Sequence, residues 1–168
     1  AYLAVAAMEI FHRRIKYGES GGGTAVLKRY TLRLLTNQQF ERAARLICAC
    51  EILRQNDDRL GREPITVGLW VGDSASPNHY TSRHNQPGAL QKHENQLEKS
   101  WPTNPFSLTD CPWCGTTIYP SQRQHDKKHY GVKATEDSFK FFCPDEGCVF
   151  HKLLPVNVVD THIYDNPP

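Results

Sequence analysis

Four of the six cysteines stand in two close pairs in the second half of the chain. Cys111 and Cys114 form a C-x2-C pair, and Cys143 and Cys148 form a C-x4-C pair, each with a proline directly after its first cysteine. Tetrahedral zinc takes four thiolate or imidazole ligands, with sulfur at about 2.3 Å, and leaves no open position when all four are thiolates. The spacing therefore predicts a structural zinc ion held by these four cysteines.

Two other arrangements of this segment stay open from spacing alone. The four thiols could form two disulfides, although such bonds are rare in a reducing compartment. His151, three residues after Cys148, could replace one cysteine as a ligand. In either case the short apolar runs TTIY and SFKFF flank the cysteine pairs, as the hairpin strands of a zinc ribbon do.

The remaining cysteines and a histidine pair are weaker candidates for chemistry. Cys48 and Cys50 lie in the helical run RLICACEIL, where a buried cysteine acts as a small hydrophobic residue. His125 and His129 in HDKKH have the i, i+4 spacing of helical metal ligands, but the glutamate of a zinc-protease motif is missing. The HDKKH stretch is therefore interpreted as a basic surface loop.

Length and composition set the class of protein. A chain of 168 residues with 39% hydrophobic residues is long enough for one domain with a real core, so the metal would fix a local substructure. The net charge of +2 does not by itself indicate a nucleic-acid partner. No apolar run approaches the roughly 20 residues that span a bilayer, so no membrane partner is expected. The paired cysteines favour a reducing compartment, and a cytoplasmic location is expected.

The elements that must position these residues follow an α/β order. The sequence predicts, in order, a helix, a strand, a helix, a strand, an insert and a final strand, which is an α/β pattern with a parallel sheet. A strand run without polar alternation is typical of a parallel sheet that is covered on both faces. The predicted ranges are a first helix to Lys16, strand 24–30, a helix from an N-cap at Thr36 to Arg54, strand 65–72, an irregular excursion 73–105 with one short helix, the cysteine segment 106–151, and strand 154–160.

The connection from the first strand to the second helix is a candidate nucleic-acid contact. The strand ends in Lys28 and Arg29, and Thr31, Arg33 and Gln38 follow before and within the first helical turns. Ligands bind beyond the carboxyl ends of parallel strands, and hydroxyl, guanidinium and backbone N–H groups suit phosphate oxygens. The competing interpretation is an ordinary strand-to-helix connection with a capping box.

Three stretches resemble a known family. The runs RYTLRLLTNQQFERA, GREPITVGLWVG with SPN, and LPVNVVDTHIY are similar to the motor core of superfamily 2 helicases, closest to the helicase subunit of the DISARM phage-defence system. The resemblance covers nearly all of the chain and is weakest at 73–105. It implies a partial RecA-like parallel sheet with helices on both faces, formed by 1–105 and 152–168, with 106–151 as a zinc-ribbon insert.

The resemblance also implies what the chain contains and lacks. The segment begins just after the glycine-rich phosphate loop and has neither a Walker B box nor a second RecA-like domain, so it is expected to be inactive alone. ATP and Mg²⁺ then belong to the complete parent protein, and Asp160 is structural. The implied partners are nucleic acid, with DNA favoured over RNA, and other defence-system subunits. Thr31, Arg33 and Gln38 are the implied backbone contacts.

Two other functions compete with this one. The chain could be a zinc-ribbon module without enzymatic activity that binds nucleic acid or a protein. It could also be a zinc-stabilised nuclease of the His-Asn-His type, although no such residue order with the required elements is found. A Gly-Lys-Thr loop upstream of residue 1 in the reading frame would decide for the helicase.

Overall fold

A computed structural model describes residues 2–29, 33–71, 76–165 and 167–168, and within them it leaves the side chains of 33–36 undescribed. The described part contains four α-helices, four short strands and three single turns of 3-10 helix. The helices are α1 (Tyr2–Tyr17), α2 (Arg33–Gln55), α3 (Ala89–Leu97) and α4 (Asp160–Asp165), and the strands are β1 (Val67–Gly68), β2 (Val132–Ala134), β3 (Phe139–Phe141) and β4 (Val156–Asn157). None of the described helices is long and apolar enough to cross a membrane.

The first two helices agree with the predicted order, but one boundary differs. Helix α2 begins at Arg33, so Thr36 lies inside the helix and the predicted N-cap at Thr36 is wrong. Arginine and leucine have high helix propensity, and the run Arg33-Leu34-Leu35 extends the helix by almost one turn toward the N-terminus. Helix α1 packs against α2 through a small apolar cluster that includes Ile10 and Ile47.

Strands β1 and β4 form a parallel pair. The amide of Val67 donates to the carbonyl of Pro155 at 3.0 Å, and the amide of Leu69 donates to that of Asn157 at 2.9 Å. The predicted parallel relation between these two segments is therefore present, but over two residues in each strand. A full RecA-like parallel sheet is not shown by the described residues.

The strand predicted at 24–30 is not formed at 24–29, the part of it that the structure describes. A strand persists only where its N–H and C=O groups find a partner strand. Here residues 24–29 line an apolar groove of about 800 Å³ that they share with α1, α2 and β1. Among the described residues no strand pairs with this segment, since β1 on the other side of the groove pairs with β4, and residues 24–29 stay irregular.

Strands β2 and β3 form an antiparallel hairpin in the cysteine segment. The pairs are Val132 with Phe141, Lys133 with Lys140, and Ala134 with Phe139. The run SFKFF thus contributes β3, which pairs with residues 132–134. TTIY lies next to the start of β2, because the amide of Gly131 donates to the carbonyl of Ile118 at 2.7 Å.

One apolar core joins the cysteine segment to helix α2. Phe40, Ala44 and Cys48 of α2 belong to the same buried cluster as Cys111 and the aromatic residues of the hairpin. The rings of Phe139 and Phe141 meet edge to face at 4.9 Å, the arrangement that aromatic quadrupoles favour. Packing around the cysteines is therefore continuous with packing on α2.

A buried histidine joins α3 to this core. The side chain of His93 is 6% exposed, its Nδ1 is hydrogen-bonded to the hydroxyl of Tyr119, and its ring meets that of Tyr130 edge to face. Burial, with a smaller contribution from the Lys127 ammonium group, lowers the pKa of His93 from 6.5 to about 4. His93 is therefore neutral in the folded protein at neutral pH.

This histidine makes stability depend on pH. The unfolded chain binds a proton near pH 6.5 that the folded chain does not bind until about pH 4, so stability that is present above pH 6.5 is lost as the pH falls. At about 1.4 kcal/mol per pKa unit, His93 accounts for about 3 kcal/mol of loss between pH 7 and pH 4. Urea unfolding at several pH values should show this loss in the wild type and in the exposed control His125→Gln. His93→Gln should remove it, and an unchanged pH profile in that variant would contradict the assignment.

Candidate metal centre

The structure brings Cys111, Cys114, Cys143 and Cys148 together. Their four sulfur atoms all lie within 4.8 Å of one another. The Sγ atoms of Cys114 and Cys143 are 3.4 Å apart, and those of Cys111 and Cys148 are 3.9 Å apart. Four thiolates at about 2.3 Å from a tetrahedral metal would be separated by about 3.8 Å, so this arrangement fits a metal ion such as zinc.

The disulfide alternative does not match these positions. All six cysteines are free thiols, and even the 3.4 Å separation of the Cys114 and Cys143 sulfur atoms far exceeds the roughly 2.05 Å of a disulfide bond. Both of these sulfur–sulfur contacts, Cys114 to Cys143 and Cys111 to Cys148, join one pair to the other. Such crossed contacts are what a shared central ion requires of two knuckles that face each other.

Tight turns explain why each pair can present two sulfur atoms inward. The amide of Gly115 donates to the carbonyl of Cys111 at 2.9 Å and closes the first knuckle. Gly115 has a φ of 82°, a backbone conformation that a side chain would strain. The amide of Cys148 donates to the carbonyl of Asp145 at 3.0 Å and closes the second knuckle in the same way.

Burial opposes the ionisation of the Cys111, Cys114 and Cys143 thiols, and nearby backbone amides favour it. Burial raises the pKa of Cys111 to about 11, although the amides of Cys114 and Trp113 donate to its sulfur and lower it in part. Burial also raises the pKa of Cys143. For Cys114, burial is outweighed by the hydroxyl and amide of Thr116, and its pKa falls to about 7. Metal binding would release the remaining protons, because thiolates are the ligands.

His151 lies beside the cluster without being one of its four members. Its Nδ1 donates to the carbonyl of Cys143 at 2.9 Å, because a carbonyl can only accept. The histidine thereby holds the second knuckle from outside. Thr116 has a comparable position, with its hydroxyl 3.2 Å from the Sγ of Cys114. Neither contact was predicted from the sequence. The only signal there is that Thr116 and His151 each lie within three residues of a cysteine.

The weaker candidates of the sequence lie elsewhere. Cys48 and Cys50 are buried on α2, as predicted for small hydrophobic residues, and burial raises the pKa of each thiol, that of Cys48 to about 12. His125 and His129 are exposed in and beside the 3-10 turn of 127–129. Within the described residues, no group of potential metal ligands includes either histidine.

The residues predicted to contact nucleic acid are only partly described. Gln38 is exposed in the second turn of α2. Arg33 is the first residue of α2, but its side chain lies outside the described part of the structure. Thr31 lies outside the described residues altogether. The arrangement of these three side chains therefore stays a prediction.

Known proteins offer one informative match. The chain is 34% identical over 179 aligned residues to the DISARM protein DrmA of Bacillus paralicheniformis. The match covers 100% of this chain and 15% of that protein, so the chain spans a small part of its relative's length. No protein-family model matches the sequence. No solved structure matches it either. Along its whole length, then, this chain is similar to a segment of a DISARM protein.

Proposed function

We propose that this chain is part of the first motor domain of an ATP-dependent superfamily 2 helicase or translocase that acts in bacterial phage defence. The observation that carries the proposal is the 34% identity to DISARM protein DrmA over the entire chain. The complete parent protein would use ATP and Mg²⁺, and no described residue of this segment is assigned to either. Its partners would be nucleic acid, with DNA favoured over RNA, and other subunits of the defence system.

The apolar groove supports a wider parallel sheet in the parent protein. The groove lies between α1 and α2 and is bordered by residues 24–29 and β1. Leu27 is 92% exposed there, and the side-chain oxygen of Gln39 is buried without a hydrogen-bond partner. A buried carbonyl oxygen without a partner is costly, and a further strand beside β1 could satisfy it and would also cover Leu27.

The cysteine cluster has a structural part in this proposal. We infer that the metal is zinc and that 106–151 is a zinc-stabilised insert in the motor domain. Four thiolates leave no coordination position for substrate or water, so the ion would stabilise the fold and take no part in ATP hydrolysis. Its position next to α2 would link the insert to the helix that follows the proposed nucleic-acid loop.

The proposed loop contacts the phosphate backbone. A motor that steps along any sequence needs contacts that do not read bases, and these are hydroxyl, guanidinium and backbone N–H groups. In this proposal Arg33 donates a charge-assisted hydrogen bond to a phosphate, Thr31 donates through its hydroxyl, and Gln38 makes a weaker contact. Arg33 and Gln38 lie on the first turns of α2, and the exposed side chain of Gln38 supports this assignment.

The test is Arg33→Ala in the complete parent protein. One lost phosphate contact should lower the slope of log K against log salt by about 0.7 on single-stranded nucleic acid, equally for different sequences. Basal ATP hydrolysis should largely survive, whereas its stimulation by nucleic acid should fall. A salt titration of binding, run beside ATPase assays, measures all three quantities.

The matched control is Arg42→Ala, since Arg42 is exposed on the same helix and lies beyond the proposed loop. This control should keep the wild-type salt slope and stimulation. If Arg33→Ala also keeps both, the loop is an ordinary strand-to-helix connection and the proposed contact is wrong.

A further inference from the structure

Two lysines stand directly opposite each other on the outer face of the β2–β3 hairpin. Lys133 and Lys140 are paired in the antiparallel register, and both are exposed. Side chains so paired have Cβ atoms about 5 Å apart, and like charges at this distance destabilise a sheet. The opposite face of the same hairpin carries the buried Phe139 and Phe141. The hairpin therefore holds two positive charges together on a platform that the core keeps rigid.

Neither lysine forms an ion pair within the part of the chain that the structure describes. The salt bridges among the described residues involve Arg14, Arg54, Arg59 and Lys128, each with a carboxylate, and not these two lysines. The nearest acidic side chains in sequence are in the hairpin turn, where Asp137 accepts a hydrogen bond from the Thr135 hydroxyl at 2.7 Å. The positive charge at the hairpin centre is thus left for another partner.

Aromatic surface continues this face toward the metal centre. Side chains two residues apart on a strand share a face, so Phe142, which follows β3, lies on the same side as Lys140. Phe142 is half-buried, and its ring meets that of His151 edge to face at 6.3 Å. Lysines next to a partly exposed aromatic ring are the combination with which proteins hold nucleic-acid strands, through phosphates and stacked bases.

We propose that the outer face of this hairpin, formed by Lys133, Lys140 and Phe142, is a second nucleic-acid site that binds backbone phosphates. It goes beyond the proposed loop at Thr31 and Arg33, because it lies on the cysteine segment and uses different residues. Each lysine is a point charge on a flexible stem, so the two ammonium groups can spread to neighbouring phosphates although their Cβ atoms are close. The contact ignores base sequence.

The experiment compares the complete parent protein with its double variant Lys133→Gln/Lys140→Gln on a single-stranded oligothymidylate over a range of salt. Loss of two phosphate contacts should lower the salt slope by about 1.4, which corresponds to about 25-fold weaker binding at about 0.1 M salt. Lys133→Arg/Lys140→Arg keeps both charges and should bind nearly as the wild type does. Lys16→Gln, an exposed lysine on α1, should change neither quantity.

The outcomes separate this site from the proposed loop. If the double glutamine variant loses affinity and slope while Arg33→Ala does not, the hairpin site stands and the loop contact fails. If only Arg33→Ala loses them, the hairpin site is wrong, and the lysines serve only to keep the hairpin from pairing with other strands. Both lysines are on the solvent face, so unchanged circular dichroism and metal content should confirm that the variants fold.

Discussion

Cys114→Ser is expected to abolish metal binding and to unfold the cysteine segment 106–151. The wild-type protein should carry about one equivalent of zinc. Structural zinc sites contribute roughly 10–16 kcal/mol of apparent binding energy near pH 7, more than the total stability of most domains. Cys114 is the exposed member of the cluster, so its replacement opens no cavity and its effect reports the loss of a ligand. Metal analysis and hydrogen exchange of the same samples measure the two consequences.

The control for this prediction is Cys50→Ala. Cys50 is as buried as Cys111 but belongs to the α1–α2 cluster, so the variant should keep its zinc and lose only a modest part of its stability. Full zinc content in Cys114→Ser, or zinc-free wild-type protein prepared without chelator, would contradict a four-cysteine site. Because Cys48 and Cys111 share one core, faster exchange should also reach the middle of α2.

Glu51→Gln is expected to lower the free energy of unfolding by about 3 kcal/mol or more. Glu51 is buried and accepts hydrogen bonds from Arg54 at 2.8 and 2.7 Å and from the amide of Ile65 at 2.8 Å. Removing one charge of a buried pair leaves the other uncompensated, at a cost of about 3–5 kcal/mol. The bond to Ile65 also fixes the chain just before β1, so the loss should reach the parallel pair. Urea unfolding measures the difference.

An exposed ion pair of the same chemistry provides the comparison. Arg59 pairs with Asp57 at 2.6 Å, but its side chain is 78% exposed and the pair is screened by water, so Arg59→Gln should cost much less stability than Glu51→Gln. Equal losses in the two variants would show that burial does not govern the Glu51 pair.

The Glu51 pair also predicts a loss of stability in acid. Burial raises the pKa of Glu51, but the hydrogen bonds from Arg54, Gln55 and Ile65 outweigh burial, and the pKa lies below its ordinary value of 4.5. Its contribution is therefore complete above pH 4.5 and is lost as the pH falls through the lower, folded-state value. Glu51→Gln should lack this acid-dependent part.

Much of the candidate metal site could be predicted from local sequence. The type of metal ligand and the turn that presents two sulfur atoms both depend on a few consecutive residues. Both are visible in the sequence at the two cysteine pairs, each of which has a proline after its first cysteine. Helix α1, the short helix within 73–105 and the burial of Cys48 followed from apolar spacing for the same reason. The start of α2 was not predicted correctly, because residues with high helix propensity extend the helix from Thr36 back to Arg33.

By itself, the sequence determined which side chains can bind a metal and which segments are buried. Only the tertiary structure decided that the Cys114 and Cys143 sulfurs meet, that β3 pairs with 132–134, and that Lys133 stands opposite Lys140. These are pairings between distant segments, and their register depends on how the whole core packs. The same reason explains residues 24–29, whose apolar pattern predicted a strand. A strand needs a partner for its backbone, and within the described part of the chain no strand pairs with these residues.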